Sequence, residues 1–368
     1  MANIVLVGAG HAQLHTLKHL SGFTARGHAV TLVAPGPFWY SGLATGVLGG
    51  HYPETLDQVD VARLAVRGGG TFIQDQVTRI DTAAKRLVLA GGDSLSYDLL
   101  SLTTGSEVPA LPGTEGHARC FPVKPIPRLM ELKTALEQRF KRHPARAVVV
   151  LVAGGGVTAC ELAANILALA ASRGGSVLVT VLAGGEPLSQ LPPKAAKRVV
   201  ADLERRGVVF RVGDRVKRVE GVEAVMEGGD RLPFDLFLNA TGLRPRPIAR
   251  GSGLPMDRDG ALVVDGTLRS PADPSVFGAG DGVALDGHEL PKVGVYAIRQ
   301  APILCHNLLA AAEGQPLRRF VPQKDYLWIM NLGDRTGLAV RGSFWWAGRS
   351  AWWLKDRIDR RFLAAYAG

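Results

Sequence analysis

Two kinds of apolar pattern alternate along this chain, and each predicts its own element. Short unbroken apolar runs read as strands buried on both faces, and longer apolar stretches read as helices. A strand over Asn3–Val7 leads into a glycine turn at Gly8–Gly10, a helix through Leu20 and a second strand at Ala29–Ala34. The same order returns later: strand Ala147–Val152, glycine turn Gly154–Gly156, helix Val157–Ala171, strand Ser176–Leu182. A duplicated unit of this kind is more informative than either copy alone.

Other segments fill the frame. A loop rich in Gly, Pro and aromatics spans Pro35 to Tyr52. Short strands follow near Thr71–Ile80 and Arg86–Leu89, and a buried strand Tyr97–Leu102 ends at Thr103-Thr104-Gly105. After the second copy come a helix near Pro193–Arg206 and short strands to about Phe237. Asn239-Ala240-Thr241-Gly242 closes a strand, Val276–Gly280 is a short apolar strand closed by Asp281, and a long helix covers Val295 to Ala312. The expected fold is α/β, with two Rossmann-like three-layer domains. One is discontinuous, over 1–111 and 236–321. The other, 112–235, is inserted into it, and an amphipathic extension covers 322–368.

A glycine turn between strand and helix lets the backbone approach a diphosphate, and the helix N-terminus offers free N–H groups and roughly half a positive charge. Gly8 and Gly10 meet this need, with Gln13 in place of the third glycine of GxGxxG. In the second copy, Gly154-Gly155-Gly156, that place falls to Ala159. Neither following strand ends in the acid that holds an adenosine ribose: Ala34-Pro35 and Ala183-Gly184 stand there.

Composition narrows the setting. At 368 residues, two domains and an extension are expected. The formal net charge of +10 suits nucleic acid, an anionic membrane or acidic ligands. No nucleic-acid motif is present, so no nucleic-acid partner is expected. Three cysteines, Cys120, Cys160 and Cys305, form no CxxC pair and no metal set, which fits a reducing, cytoplasmic setting. The apolar stretch Ala147–Ala171 is split by its glycines and reads as strand plus helix, not a membrane span.

The third signal is Val276-Phe277-Gly278-Ala279-Gly280-Asp281, a strand ending in Gly-Asp. The order GxG, Thr-Thr-Gly, Gly-Gly-Gly…Glu, Ala-Thr-Gly, Gly-Ala-Gly-Asp over about residues 3 to 312 resembles the pyridine nucleotide-disulfide oxidoreductase superfamily. The missing cysteine pair and the tail are most similar to its type II NADH dehydrogenase branch. His11-Ala12-Gln13, Tyr40-Ser41-Gly42 and the ending Leu354-Lys355-Asp356-Arg357-Ile358-Asp359-Arg360-Arg361-Phe362 also resemble a flavoprotein module fused to selenide, water dikinase. The resemblance implies FAD and either NADH or NADPH as cofactors. It places Gly8, Gly10, His11, Ala12, Gly105, Gly280, Asp281 and Val295 at the FAD and Gly154, Gly156 and Gly242 at the nicotinamide nucleotide. It sets Glu161 near both rings, and Gln300 and Tyr296 beside a quinone site, although Tyr296 stands where another glutamine is usual.

The expected reaction takes electrons from NAD(P)H through flavin to a quinone or another small electron acceptor. A sulfide:quinone enzyme, which needs cysteines beside the flavin, and a flavin-binding module without turnover are the alternatives. Ala351, Leu354, Ile358, Phe362 and Ala365 recur at helical spacing, with Trp345, Trp346, Trp352 and Trp353 close by and basic residues opposite. That pattern predicts a membrane-surface contact on the inner face of the cell membrane. The reading also allows a homodimer.

Overall fold

The computed structural model describes residues 1–367. Its frame is two five-stranded parallel sheets. The first runs in the order Val276–Gly278, Leu99–Leu102, Asn3–Val7, Ala29–Ala34, Thr71–Gln74. Val5 stands opposite Thr31 on one side and Leu100 on the other. Ile4, Leu6, Leu32 and Leu100 are fully buried, as expected of parallel strands covered on both faces. Helix His11–Lys18 packs against the long helix Gly294–Ala312 on one face of this sheet.

The second sheet runs Cys120–Pro122, Leu236–Asn239, Val148–Ala153, Val177–Ala183, Val209–Val212. Here the structure corrects a boundary. Leu236–Asn239 is not the start of the return to the first domain but a central strand of the second. It lies between Cys120–Pro122 and Val148–Ala153, with all four residues buried. A four-residue buried run is most stable with a strand on each side. The inserted domain therefore reaches Asn239, and Ala240-Thr241-Gly242 is its exit turn.

The tail departs further from its predicted form. It begins with a three-stranded antiparallel sheet, Trp328–Asn331, Gly337–Arg341 and Phe344–Gly348, and only then forms a helix, Arg349–Ala364. Trp345 and Trp346 are strand residues. The inward face of the helix is Ala351, Lys355, Asp359 and Leu363, whereas Ile358 is 45% exposed and Ala365 is exposed. Two members of that inward face are charged and pair with each other inside, while Ile358 and Ala365 of the expected apolar face stay open to the outside. Among the described residues, no helix is long and apolar enough to cross a membrane.

Both glycine turns are held by backbone contact. Gly8 (φ +84°) and Gly10 lie so close to Thr103 that an added Cβ would stand 2.8 and 2.7 Å from its carbonyl oxygen. Gly154 (φ +125°) meets the Ala240 oxygen at 2.3 Å in the same sense. Gly154→Ala is expected to lower stability by at least about 1 kcal/mol, through both the left-handed backbone and the clash. Chemical denaturation checks this; an unchanged midpoint would mean the two strand ends are not in contact.

Candidate functional site

A cavity of about 1070 Å³ runs across the carboxyl ends of the first sheet. It extends from Asp75–Thr78, past Ala34-Pro35-Gly36 and the Gly8–Gly10 turn, to Gly280-Asp281 and Gly294. Thr158 and Glu161, on the first turns of helix Val157–Arg173, close it from the inserted domain. Helix His11–Lys18 begins at Gly10 with no side-chain cap, so its first N–H groups are free for an acceptor. A long cleft, a backbone cradle without side chains and uncapped N–H groups fit a dinucleotide such as FAD.

Asp281 stands at the other end of the cradle. One of its oxygens accepts from Ser106 Oγ (2.6 Å) and Lys124 Nζ (3.0 Å), and Lys124 also donates to Ser106 Oγ (2.9 Å). Burial alone would push the Asp281 carboxyl up, but Lys124 and the Ser106 hydroxyl hold it below the usual carboxylate range. The result is a fixed anion in the cavity wall, suited to accept from the hydroxyls of a ribityl chain.

His11 lines the same wall, edge-on to Phe38 at 4.8 Å between ring centroids. Burial lowers its pKa to about 4, so the imidazole is neutral near pH 7. Glu161 behaves in the opposite sense: burial raises its carboxyl to about 7, against the pull of Lys355 and of the Asn331 N–H, which donates to Oε1 at 2.5 Å. Asn331 belongs to the tail sheet, so the tail and the inserted domain meet at this carboxylate.

The tail is also tied to the loop beside His11. Tyr40 Oη donates to Asp359 Oδ1 (2.8 Å), Lys355 Nζ donates to Asp359 Oδ2 (2.6 Å) and to the Gly42 carbonyl, and the Tyr40 and Phe362 rings stack at 4.7 Å. The three motifs His11-Ala12-Gln13, Tyr40-Ser41-Gly42 and Leu354–Phe362, distant in sequence, form one assembly.

The structure brings Gly8, Gly10, His11, Ala12, Gly105, Gly280, Asp281 and Glu161 to the cavity. It does not bring Val295, Tyr296 or Gln300 there. Gly294 and Ala297 are the members of their helix that face it. Gln300 is 2% exposed, and its carbonyl accepts the Gly280 N–H at 2.7 Å, holding the turn before Asp281. Tyr296 Oη donates to the Gln323 carbonyl at 3.0 Å. On a helix, positions 296 and 300 share a face, and here that face packs behind the Gly280-Asp281 turn and lines a small separate gap beside it. Gly154, Gly156 and Gly242 lie outside the cavity, on the turns of the inserted domain.

Sequence reasoning missed Ser106, Lys124, Asn331, Lys355 and Asp359 as members of the site. Lys124 carries no local signal, being one cation between an apolar strand and prolines. Lys355 and Asp359 do carry one, an i,i+4 pair of opposite charge, but that spacing ordinarily marks a solvated helix face. No cysteine lines the cavity, although Cys160 adjoins Glu161, and burial pushes Cys160 up to about 12 and Cys120 and Cys305 up to about 11.

Asp281→Ala is expected to weaken FAD retention about tenfold or more, the loss of a charge-assisted acceptor. Lys124→Met, which lets the Asp281 carboxyl rise, should make retention fall as the solution is acidified. Flavin released on gel filtration at about pH 5.5 and 8 measures both. For Glu161, the folded chain keeps a proton that the unfolded chain loses between its ordinary carboxylate range and about 7. Stability from this group therefore falls as pH rises through that window. Glu161→Gln should gain in melting temperature relative to the wild type between about pH 5 and 8; a constant difference would contradict the raised carboxyl.

Comparison with known proteins identifies the family and the fold. The family model described as pyridine nucleotide-disulphide oxidoreductase matches residues 2–301. The chain is 25% identical to the demethylphylloquinone reductase NdbB of Synechocystis sp., covering 85% of this chain and 80% of that protein. It is 30% identical to a rubredoxin-NAD(+) reductase of Alcanivorax borkumensis, over 80% of this chain and 75% of that one. The solved sulfide:quinone oxidoreductase of Aquifex aeolicus has the same fold, with a TM-score of 0.82, 18% identity and coverage of 100% of this chain and 91% of that one. The chain belongs to the pyridine nucleotide-disulphide oxidoreductase family and is an oxidoreductase that uses FAD and NAD(P)H.

Proposed function

We propose that this chain is an NAD(P)H dehydrogenase that passes electrons by way of FAD to a quinone-type acceptor. The observation that carries this reading is the shared cavity: Glu161 and Thr158 of the inserted domain stand in one wall with Gly280 and Asp281 of the first. A bound flavin accepts a hydride equivalent and returns electrons one or two at a time. The chain supplies position and protons. Gly8, Gly10 and Asp281 would hold the cofactor, and His11, its pKa lowered to about 4 by burial, would stay neutral beside it. Glu161, with its carboxyl near 7, holds or releases a proton at the atom not bound to Asn331.

Sulfide chemistry has little support, because every thiol is raised and none lines the cavity. A quinone acceptor draws support from the demethylphylloquinone reductase relative, whereas the rubredoxin reductase relative marks a small redox protein as the competing acceptor. Anaerobic stopped-flow reduction by each nucleotide, followed by reoxidation with a short-chain quinone, tests the two halves. Rapid bleaching and rapid quinone reoxidation are expected. Bleaching followed by reoxidation with rubredoxin or ferredoxin alone would move the acceptor to a redox protein, and no bleaching would leave a flavin-binding module without turnover.

We also propose that the tail meets a membrane surface. Phe344 and Trp353 are 66% and 58% exposed, Ile358 is open, and Arg357 stacks over Trp353 at 5.6 Å. Exposed aromatics with basic neighbours suit the headgroup region of anionic lipid. Replacing Phe344, Trp353 and Ile358 together by Ser should reduce sedimentation with anionic vesicles and leave short-chain quinone reduction unchanged. Equal sedimentation before and after would remove the membrane from this reading.

A further inference from the structure

The inserted domain lacks the carboxylate that an adenosine ribose diol calls for, and an arginine lies at that place. Strand Val177–Ala183 ends in Ala183-Gly184. This end is packed on the glycine turn: the Leu188 N–H donates to the Gly155 oxygen at 2.8 Å, and a Cβ on Gly155 would meet the Ala183 Cβ at 2.8 Å. A diphosphate seated at such a turn sets its adenosine ribose over the end of the second strand.

Arg215 reaches that point from a different loop. It follows the neighbouring strand Val209–Val212, whose Val212 pairs with Ala183. Its side chain lies across Gly184, where an added Cβ would stand 2.5 Å from Cγ, 2.6 Å from Nε and 3.0 Å from Cδ. Only a residue without a side chain admits this crossing. Arg211 and Arg218 are paired with Asp230 and Glu220, whereas Arg215 is exposed and makes no ion pair among the described residues. An unpaired guanidinium over the ribose position suits a phosphate, which it can hold by two parallel N–H bonds. It offers nothing to a diol that an acid would not offer better.

We propose that Arg215 reads the 2′-phosphate of the adenosine ribose and that the preferred nucleotide of this chain is NADPH. This rests on the reading that the inserted domain takes the nicotinamide nucleotide. The rival group is Glu186, an exposed carboxylate two residues beyond Gly184, which a diol-reading site would use instead.

The test uses the FAD-loaded chain. Binding of 2′,5′-ADP and of 5′-AMP is measured by calorimetry, and flavin reduction by NADPH and NADH by stopped flow. NADPH should reduce the flavin at least about tenfold more efficiently than NADH. Arg215→Ala should weaken 2′,5′-ADP binding about tenfold or more, the loss of a charge-assisted contact, with 5′-AMP binding and NADH reduction little changed. Arg215→Lys, which keeps the charge but not the fork, should fall between. A preference for NADH that Glu186→Gln weakens and Arg215→Ala leaves intact would overturn the proposal while the dehydrogenase reading stands. Failure of both nucleotides to bind or to bleach the flavin would overturn both.

Discussion

The site depends on one contact between backbones: the Thr103 carbonyl pressed against Gly8 and Gly10. It joins the end of strand Leu99–Leu102 to the turn leaving Asn3–Val7, and the two strands pair in parallel up to Val7 and Leu102. With that contact in place, the cavity floor is peptide and not side chain, and the N-terminus of His11–Lys18 opens onto it. A diphosphate needs that closeness to feel the helix dipole, whose effect fades within the first turn. Any side chain at Gly8 or Gly10 would part the strand ends and move the N–H groups out of reach.

The second unit repeats the contact between Gly154 and Ala240, which makes the two turns mechanically alike. They are not electrostatically alike. The first opens toward Asp281, an anion held ionised by Lys124. Near the second, Arg215 lies across Gly184 after the following strand, a cation without an ion pair among the described residues. The duplicated unit therefore repeats one backbone device, and the charged residues around its two copies differ.

The repeated strand, glycine turn and helix were legible because a two-sided buried strand must be continuous in apolar residues and the turn must be glycine. The Gly280-Asp281 turn was legible for the same reason. What sequence could not show was anything fixed by contacts between distant segments. Gln300 was expected to face an acceptor and instead holds the Gly280 N–H, because helical phase is settled by packing and not by residue type. Leu236–Asn239 was assigned to the wrong domain because a short apolar run carries no mark of the sheet it joins. Lys124 was invisible, since its meaning comes wholly from Asp281, 157 residues away.

The tail shows how a charged pair can define a buried face that hydropathy assigns to solvent. Lys355 and Asp359 lie one turn apart, and each is almost fully withdrawn from water. Withdrawing two charges costs several kcal/mol per ion, and their attraction returns this only when the remaining donors and acceptors are also satisfied. Here Tyr40 donates to the other oxygen of Asp359, and the Gly42 carbonyl accepts a second N–H of Lys355. Leucines at both positions would bury more cheaply but would fit any apolar groove. The ion pair fits only where a hydroxyl and a carbonyl stand at the right separation, and the loop 40–42 beside His11 provides both. Such a pair adds little to stability and much to placement. The same tail sets the Asn331 N–H against Glu161 and stacks Phe362 on Tyr40. The carboxylate of Glu161 thus receives a backbone N–H from near the far end of the chain.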